Sequence, residues 1–348
     1  MRVFLLGDNR SYHLFRFYNA YKDQGIDVKC GGIEEGESFC EKLSFTGKGI
    51  LKYLLSVPKI KKIAKEFETD LIHAHMAGNY GLMAMLTGLP YVVSLWGPDI
   101  VEFPFKSPFK YLVTRIVLKR AILVHTDSYF VSFLLEKVFH VPKEKIVVFP
   151  FGISKAFFEA GWEKEREDII IFTHRKLERE YGHEVILRAL RILKENKVKF
   201  RAIFASFGSQ EGELKRLTTE LDLEGEVVFT GKIEEKELIA LLSKANIFVS
   251  AATTDTTPNS LLEAMALGAF PVLSDLGIYR EWIVEGINGY YFKRGDAFDL
   301  ANKMLFVIKN RHYLNRALEI NREIALKYAN WDENFKNFLS VLKGAFKG

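Results

Sequence analysis

Several residue types that would point to a function are scarce or missing. Among 348 residues there are two cysteines, Cys30 and Cys40. Two are too few for a disulfide framework and make a poor metal site, so reduced thiols and a cytoplasmic setting are expected. Glutamine is confined to Gln24 and Gln210 while lysine and glutamate abound, a thermophile-like composition. No "GxGxxG" follows the first apolar run, where "LLGDNRSYHLF" stands, and no "GxxxxGK[ST]" occurs. Both absences argue against a dinucleotide-binding dehydrogenase and a P-loop enzyme. No "DxD" follows a strand-like run, so no metal is implied. Met1-Arg2 leads straight into "VFLLG", which ends at Asp8, so no signal peptide is expected. Residues 71–98 lack Asp, Glu, Lys and Arg altogether. Gly78, Gly81, Gly88 and Pro90 interrupt that stretch, which predicts strand, helix and strand inside a core rather than a membrane span.

The chain is 48% hydrophobic with a mean hydropathy of zero, and its length suits two domains. Short apolar runs alternate with helical segments of period 3.6. The first series is "RVFLLG", "DLIHAH", "YVVSLW", "AILVHT" and "KIVVFP"; the second is "DIIIFT", "FRAIFAS", "EVVFTG", "NIFVSA" and "FPVLSD". Continuous apolar strands separated by helices mean parallel sheets buried on both faces. The fold class is therefore α/β, with two doubly wound Rossmann-like domains at 1–155 and 165–330. The proline, glycine and charge run of residues 149–168 separates them. An amphipathic helix at 331–348 is placed to cross back to the first domain.

Charge is uneven. Residues 1–150 hold 20 Lys/Arg against 15 Asp/Glu, and 42–120 hold 12 against 5. The cations sit in two aromatic-rich runs, "KYLLSVPKIKKIAKEF" and "EFPFKSPFKYLVTRIVLKR". A solvated helix face is one reading; attraction to an anionic membrane surface or an anionic acceptor is the other. Nucleic acid is disfavoured, because no recognised nucleic-acid motif accompanies the charge.

The stretch "DTTPNSLLEAMALGAFPVLSD" carries the chemistry. Glu263 lies in an apolar helix, where a carboxylate needs a partner or a function. Thr257 is the expected N-cap and Pro258 the first helical residue. The free N–H groups of Asn259, Ser260 and Leu261 would then form an anion site. Glu263, one turn on, can accept from a vicinal diol, and Asp255, before the helix, from hydroxyls of a second ring. A nucleoside diphosphate sugar presents diol, phosphates and sugar hydroxyls in that order. The alternative is a turn residue at Asp255 and a buried, paired carboxylate at Glu263.

Asp255, seven residues, Glu263, then "LLEAMALGAFPVLSD" and "REWIVEGINGYYF" resemble the retaining glycosyltransferases of the GT-B fold, family 4 (glycosyl transferases group 1). "DLIHAHMAGNYGLMAMLTGLPYVVSLWGPDI" and "EKIVVFPFGIS" extend the resemblance over nearly the whole chain, with Phe151 and Ser154 departing from the family's "PNGVD". The resemblance implies that Asp255, usually glutamate in the family, contacts the donor sugar and Glu263 the ribose. It places Arg175, in "FTHRKLEREYGHE", at the diphosphate. Tyr181 stands before Gly182 where a lysine is usual, leaving Arg179 or Lys176 as second cation. It puts Lys232 and Ile233, after Gly231, near the nucleobase. The usual histidine of "HGxD" is Trp96 here, while Asp99 is kept. Asp8, Arg10, His13, Trp96 and Asp99 are the candidate acceptor residues. His73 and His75 face one side of a strand and are expected to pack.

The expected function is metal-independent transfer of a sugar, with retention, from a nucleotide-sugar donor to a glycan, lipid or lipid-linked glycan. No cofactor is expected beyond the donor, and the location is cytoplasmic or peripheral on the inner membrane face. Arg175, Asp255 and Glu263 would be catalytic. A same-fold epimerase or phosphorylase, or a non-catalytic nucleotide-sugar-binding protein, are the alternatives.

Overall fold

The computed structural model describes residues 1–33, 40–43, 50–162, 168–255 and 258–347. The chain divides into two compact units, Met1–Pro150 with Asp332–Gly348, and Phe151–Trp331.

The first unit is built on strands β1 (Arg2–Leu6), β2 (Asp27–Gly32), β3 (Glu41–Lys42), β4 (Leu71–His75), β5 (Tyr91–Ser94), β6 (Val124–Thr126) and β7 (Ile146–Val148). All pair in parallel, in the order β3-β2-β1-β4-β5-β6-β7. Apart from Arg2, every residue of β1, β4 and β5 is buried, as continuous apolar runs between two helical layers require. The uncharged stretch 71–98 supplies β4, the helix Asn79–Thr87 and β5.

Strands β2 and β3 lie outside the apolar runs of the sequence. β2 reads "DVKCGG" and is recruited by register with β1 rather than by hydrophobicity. Its glycines permit close packing: a Cβ on Gly32 would stand 2.6 Å from the Gly7 carbonyl oxygen. Cys30, on β2, is joined by a disulfide to Cys40, ten residues on. This corrects the expectation of two reduced thiols. Pairing β2 with β3 brings the two Cα atoms to 4.9 Å, inside the span a disulfide bridges.

The second unit contains β8 (Ile170–Thr173), β9 (Arg201–Phe204), β10 (Val227–Phe229), β11 (Ile247–Ser250), β12 (Phe270–Ser274) and β13 (Tyr290–Phe292). Their order is β10-β9-β8-β11-β12-β13, again all parallel. The order reverses beside β8, so β8 and β11 border the switch point where parallel sheets bind ligands. Among the described residues no helix is long and apolar enough to cross a membrane.

The last helix, Trp331–Lys347, belongs to the first unit from Asp332 onward. Phe335 and Phe338 are fully buried there. Phe335 meets the rings of Phe17 and Tyr21 at 5.8 and 5.0 Å, and Phe338 meets His73 and Phe149 at 5.5 and 5.6 Å. Truncating a buried phenylalanine loses its transfer energy and leaves a cavity. Phe338→Ala is therefore expected to lower stability by about 3–5 kcal/mol in urea unfolding. A change below about 1 kcal/mol would show that the helix is not part of this core.

Candidate functional site

In the second unit the switch-point strand ends carry a charged network. Arg175 follows β8, and its guanidinium donates to the Asp255 carboxylate at 2.9 Å and to Ser260 Oγ at 3.0 Å. The side chains of Arg175 and Asp255 are 12% and 7% exposed, so the pair is largely desolvated. Burial works against the Arg175 charge, yet the Asp255 carboxylate outweighs it and holds the guanidinium above its ordinary pKa. The second Asp255 oxygen accepts from the Tyr279 hydroxyl at 2.9 Å, and Tyr279 also meets Ser250 Oγ at 3.1 Å. Burial first, and Asp255 next, push the Tyr279 pKa upward, which keeps the phenol protonated and donating.

Tyr181, standing where a lysine was sought, lies under Arg175 with the guanidinium carbon 4.4 Å from its ring centroid. A planar cation on an aromatic face is held in one orientation. The Arg179–Tyr181 turn is fixed by Gly182, whose φ of +60° and approach to the Ala251 carbonyl exclude a side chain.

The helix behind Asp255 runs Asn259–Ala266, with Pro258 as its cap. It starts one residue later than expected. Thr257, the expected cap, lies outside the described residues. The N–H of Leu261 donates to the Pro258 carbonyl at 2.9 Å, so of the three N–H groups assigned to an anion only those of Asn259 and Ser260 remain available at the helix start. Glu263 is 19% exposed and accepts from His174 Nε2 at 2.6 Å. His174 is therefore the partner that the buried-carboxylate argument required. His174 is not among the residues singled out from the sequence; the signal that could have found it is its place between the apolar run "DIIIFT" and Arg175. The buried polar atoms His174 Nδ1, Arg175 Nε and Asn259 Oδ1 have no partner among the described residues. Buried polar atoms are almost always paired in native folds, so three such atoms around one helix start require partners from outside the described residues.

The other donor candidates lie apart from this network. Arg179 lines a surface cavity of about 400 Å³ with Arg188, Arg216 and Gln210. Lys176 and Lys232 are exposed, and Ile233 packs partly into the core of the unit.

In the first unit, His13 and Trp96 meet edge to face at 4.8 Å, and Trp96 leads into the Asp99 turn. Asp99 is buried, and its two oxygens accept the N–H groups of Ala77 and Trp96 at 2.8 and 2.9 Å. Burial raises its pKa despite these bonds. Its carboxylate thus pins two loops together. Asp8 pairs with Arg10 through two oxygens at 3.1 Å each; partial burial works against its charge, but Arg10 outweighs this and holds it below the usual carboxylate range.

Behind these loops runs a buried polar chain. The Phe149 carbonyl only accepts, so His125 donates to it from Nε2 at 3.0 Å. His125 Nδ1 then accepts from Ser94 at 2.9 Å, Ser94 accepts from His73 Nε2 at 2.8 Å, and His73 Nδ1 accepts from Tyr21 at 3.0 Å. One set of tautomers satisfies every link. His75, also buried, has no hydrogen-bond partner for either ring nitrogen among the described residues and packs on Phe17 and Trp96.

An arginine held by a carboxylate at a helix start, with a second carboxylate one turn on, gathers one cation and two carboxylates at the same strand ends. Comparison with known proteins specifies the class. Residues 154–324 match the family model "Glycosyl transferases group 1", and residues 2–128 match "Glycosyl transferase 4-like". The chain belongs to the group 1 glycosyl transferases. It is 30% identical over 171 residues to the amylovoran biosynthesis glycosyltransferase AmsK of Erwinia amylovora, which is 47% of this chain and 42% of AmsK. The chain therefore matches less than half the length of that relative. It is 28% identical over 243 residues to the alpha-monoglucosyldiacylglycerol synthase of Streptococcus pneumoniae, 62% of this chain and 54% of the synthase. HepE of Anabaena, solved in complex with UDP, superposes with a TM-score of 0.81 at 18% identity, covering 99% of this chain and 100% of HepE. The fold is that of the GT-B glycosyltransferases.

Burial pushes His73 down to about 3, and His13 and His125 each to about 4, from an ordinary 6.5. All three are neutral in the fold, whereas the unfolded chain takes up protons below about 6.5. The unfolded state thus binds more protons between about pH 6.5 and 4, and stability rises with pH across that window. It is expected to be full above about 6.5 and to fall below it by about 1.4 kcal/mol per pH unit for each histidine that titrates. Denaturant midpoints measured from pH 7.5 down to 5 check this. A flat profile would contradict neutral burial of the chain of histidines.

Proposed function

We propose that the chain transfers a glycosyl group from a nucleoside diphosphate sugar to a hydroxyl of an acceptor, with retention of anomeric configuration. The carrying observation is the Arg175–Asp255–Ser260 network at the start of the Asn259–Ala266 helix. When the bond between the anomeric carbon and the phosphate oxygen breaks, its electron pair leaves with the diphosphate. Arg175 and the N–H groups of Asn259 and Ser260 are in place to receive that charge. The acceptor oxygen then bonds to the anomeric carbon on the face the diphosphate leaves, and its proton passes to a phosphate oxygen. No protein nucleophile, metal or cofactor enters this scheme.

Glu263 receives the ribose diol, and His174 positions its carboxylate for that role. Asp255 orients Arg175 at the donor diphosphate. Tyr279 and Tyr181 hold this pair from two sides. UDP-sugars are the first donors to test, because HepE was solved with UDP and with UDP-glucose. The name of the pneumococcal relative makes a glycerolipid one acceptor to include, beside glycans and lipid-linked glycans. Turnover is measured as nucleoside diphosphate released in an acceptor-dependent way, and the product anomer by proton NMR. Inversion at the anomeric carbon would overturn the mechanism.

Two variants test the roles. Glu263→Gln is expected to stay folded and to weaken nucleotide binding by about 1.5–3 kcal/mol, read by calorimetry. Unchanged affinity in a folded variant would remove Glu263 from the ribose. Arg175→Ala is expected to lower kcat more than it raises the donor KM, because phosphate charge grows toward the transition state. A folded Arg175→Ala variant with native kcat would remove Arg175 from catalysis.

A further inference from the structure

The helix Pro108–Arg120 is apolar on two sides. Its inner side buries Thr114, Val117 and Leu118. On the opposite side Phe109, Leu112 and Ile116, spaced i, i+3, i+7, are 64%, 51% and 37% exposed, and Phe105 just before the helix is 56% exposed. The outer side of a helix on a water-facing surface is normally polar. The flanking charge has one sign. Lys106, Lys110, Arg115, Lys119 and Arg120 fall in residues 103–120, which contain no Asp or Glu. Other helices of the chain carry the usual compensation, with Lys62–Glu66, Arg191–Glu195 and Glu211–Lys215 paired at i, i+4. Within residues 103–120 no acidic partner is available, and Glu102 is the nearest acidic residue before them.

The surroundings extend the pattern. The helices Ile50–Glu66, Asn79–Thr87, Pro108–Arg120 and Tyr129–Lys137 each lead to a strand further along the same direction of the sheet. Right-handed crossovers place all four on one face. Leu54, Leu55, Leu86 and Phe133 on these helices are also exposed, and Lys61 and Lys65, beside the paired Lys62–Glu66, accompany the first two.

We infer that this helical face is a membrane-docking surface for an anionic bilayer, with Phe105, Phe109, Leu112 and Ile116 entering the lipid interface and the basic residues on the head groups. An apolar stripe alone would not choose its partner; the unbalanced cations beside it choose an anionic surface over a neutral one. Attachment is reversible and needs no membrane-crossing helix. The inference deepens the proposed reaction by directing it to acceptors at a lipid surface, and rests on that reading for this consequence only.

The test is flotation of the full chain with vesicles of phosphatidylcholine alone or mixed with phosphatidylglycerol, at low and high salt. Binding to the anionic vesicles is expected, weakened by salt. Each cation near such a surface strengthens binding roughly five-fold, so Arg115→Glu with Lys119→Glu should lose more than about ten-fold. Phe109→Ser with Leu112→Ser and Ile116→Ser should abolish binding. Circular dichroism confirms that both variants are folded. No binding, equal binding to neutral vesicles, or undiminished binding of the serine variant would overturn the inference. So would concentration-dependent self-association that the serine variant removes, because a second copy would then be the partner. Donor turnover on a soluble acceptor, measured in the serine variant, separates the two proposals: it survives if only the docking surface is lost, and is absent from the wild type if the proposed reaction is wrong.

Discussion

A guanidinium taken largely out of water keeps its charge only when something nearby repays the lost hydration. Asp255 does this for Arg175, and Ser260 and Tyr181 complete the arginine's surroundings. The consequences run outward from that pair. Asp255 must sit at the end of β11, which fixes the loop before the Asn259–Ala266 helix. Arg175 must follow β8, the neighbouring strand. Tyr279, from beyond β12, closes the far side of the carboxylate. Three successive strands in the sheet thus contribute to one preorganised cation, and their parallel order brings those contributions to one end. An arginine fixed before a ligand arrives needs little reorganisation when charge develops on a leaving group.

The same economy of burial governs the first unit. Its sheet holds a chain of neutral side chains running from Tyr21, on the helix Tyr12–Asp23, through His73, Ser94 and His125 to a carbonyl. Because every donor there has one acceptor, the chain fixes the packing of β4, β5 and β6 with no charge to stabilise. Asp99 does similar work for the loops in front of it by accepting two backbone N–H groups. The two units therefore use polar burial differently: the first to lock a scaffold, the second to keep a cation poised beside unsatisfied polar atoms.

Much of this was legible in the sequence, for identifiable reasons. Strands such as "RVFLLG" and "NIFVSA" announce themselves because both faces are covered, so nearly every residue is apolar. β2, β3 and β13 did not: the first is glycine-rich and polar, and the other two are three residues or fewer. Asp255 and Glu263 could be singled out because carboxylates in an apolar context demand an explanation. What satisfies them could not, since Tyr279 lies 24 residues from Asp255 and His174 lies 89 from Glu263. Such pairings are set by strand order, which a linear pattern does not display. The link between Cys30 and Cys40 was missed for the same reason. It depends on the short pairing of β2 with β3, and β3 is two residues long.

The central claim is that the network around Arg175 is a preformed site for a nucleoside diphosphate sugar. Its most direct test is a thermal-shift series on the full chain with UDP-, GDP- and ADP-sugars. A ligand that binds only the folded state raises the melting temperature in proportion to its affinity and concentration. One base is expected to give a saturable rise, with the free diphosphate giving a rise as well if Arg175 and the helix start hold that part of the ligand as proposed. No rise with any of the three donors would contradict the account.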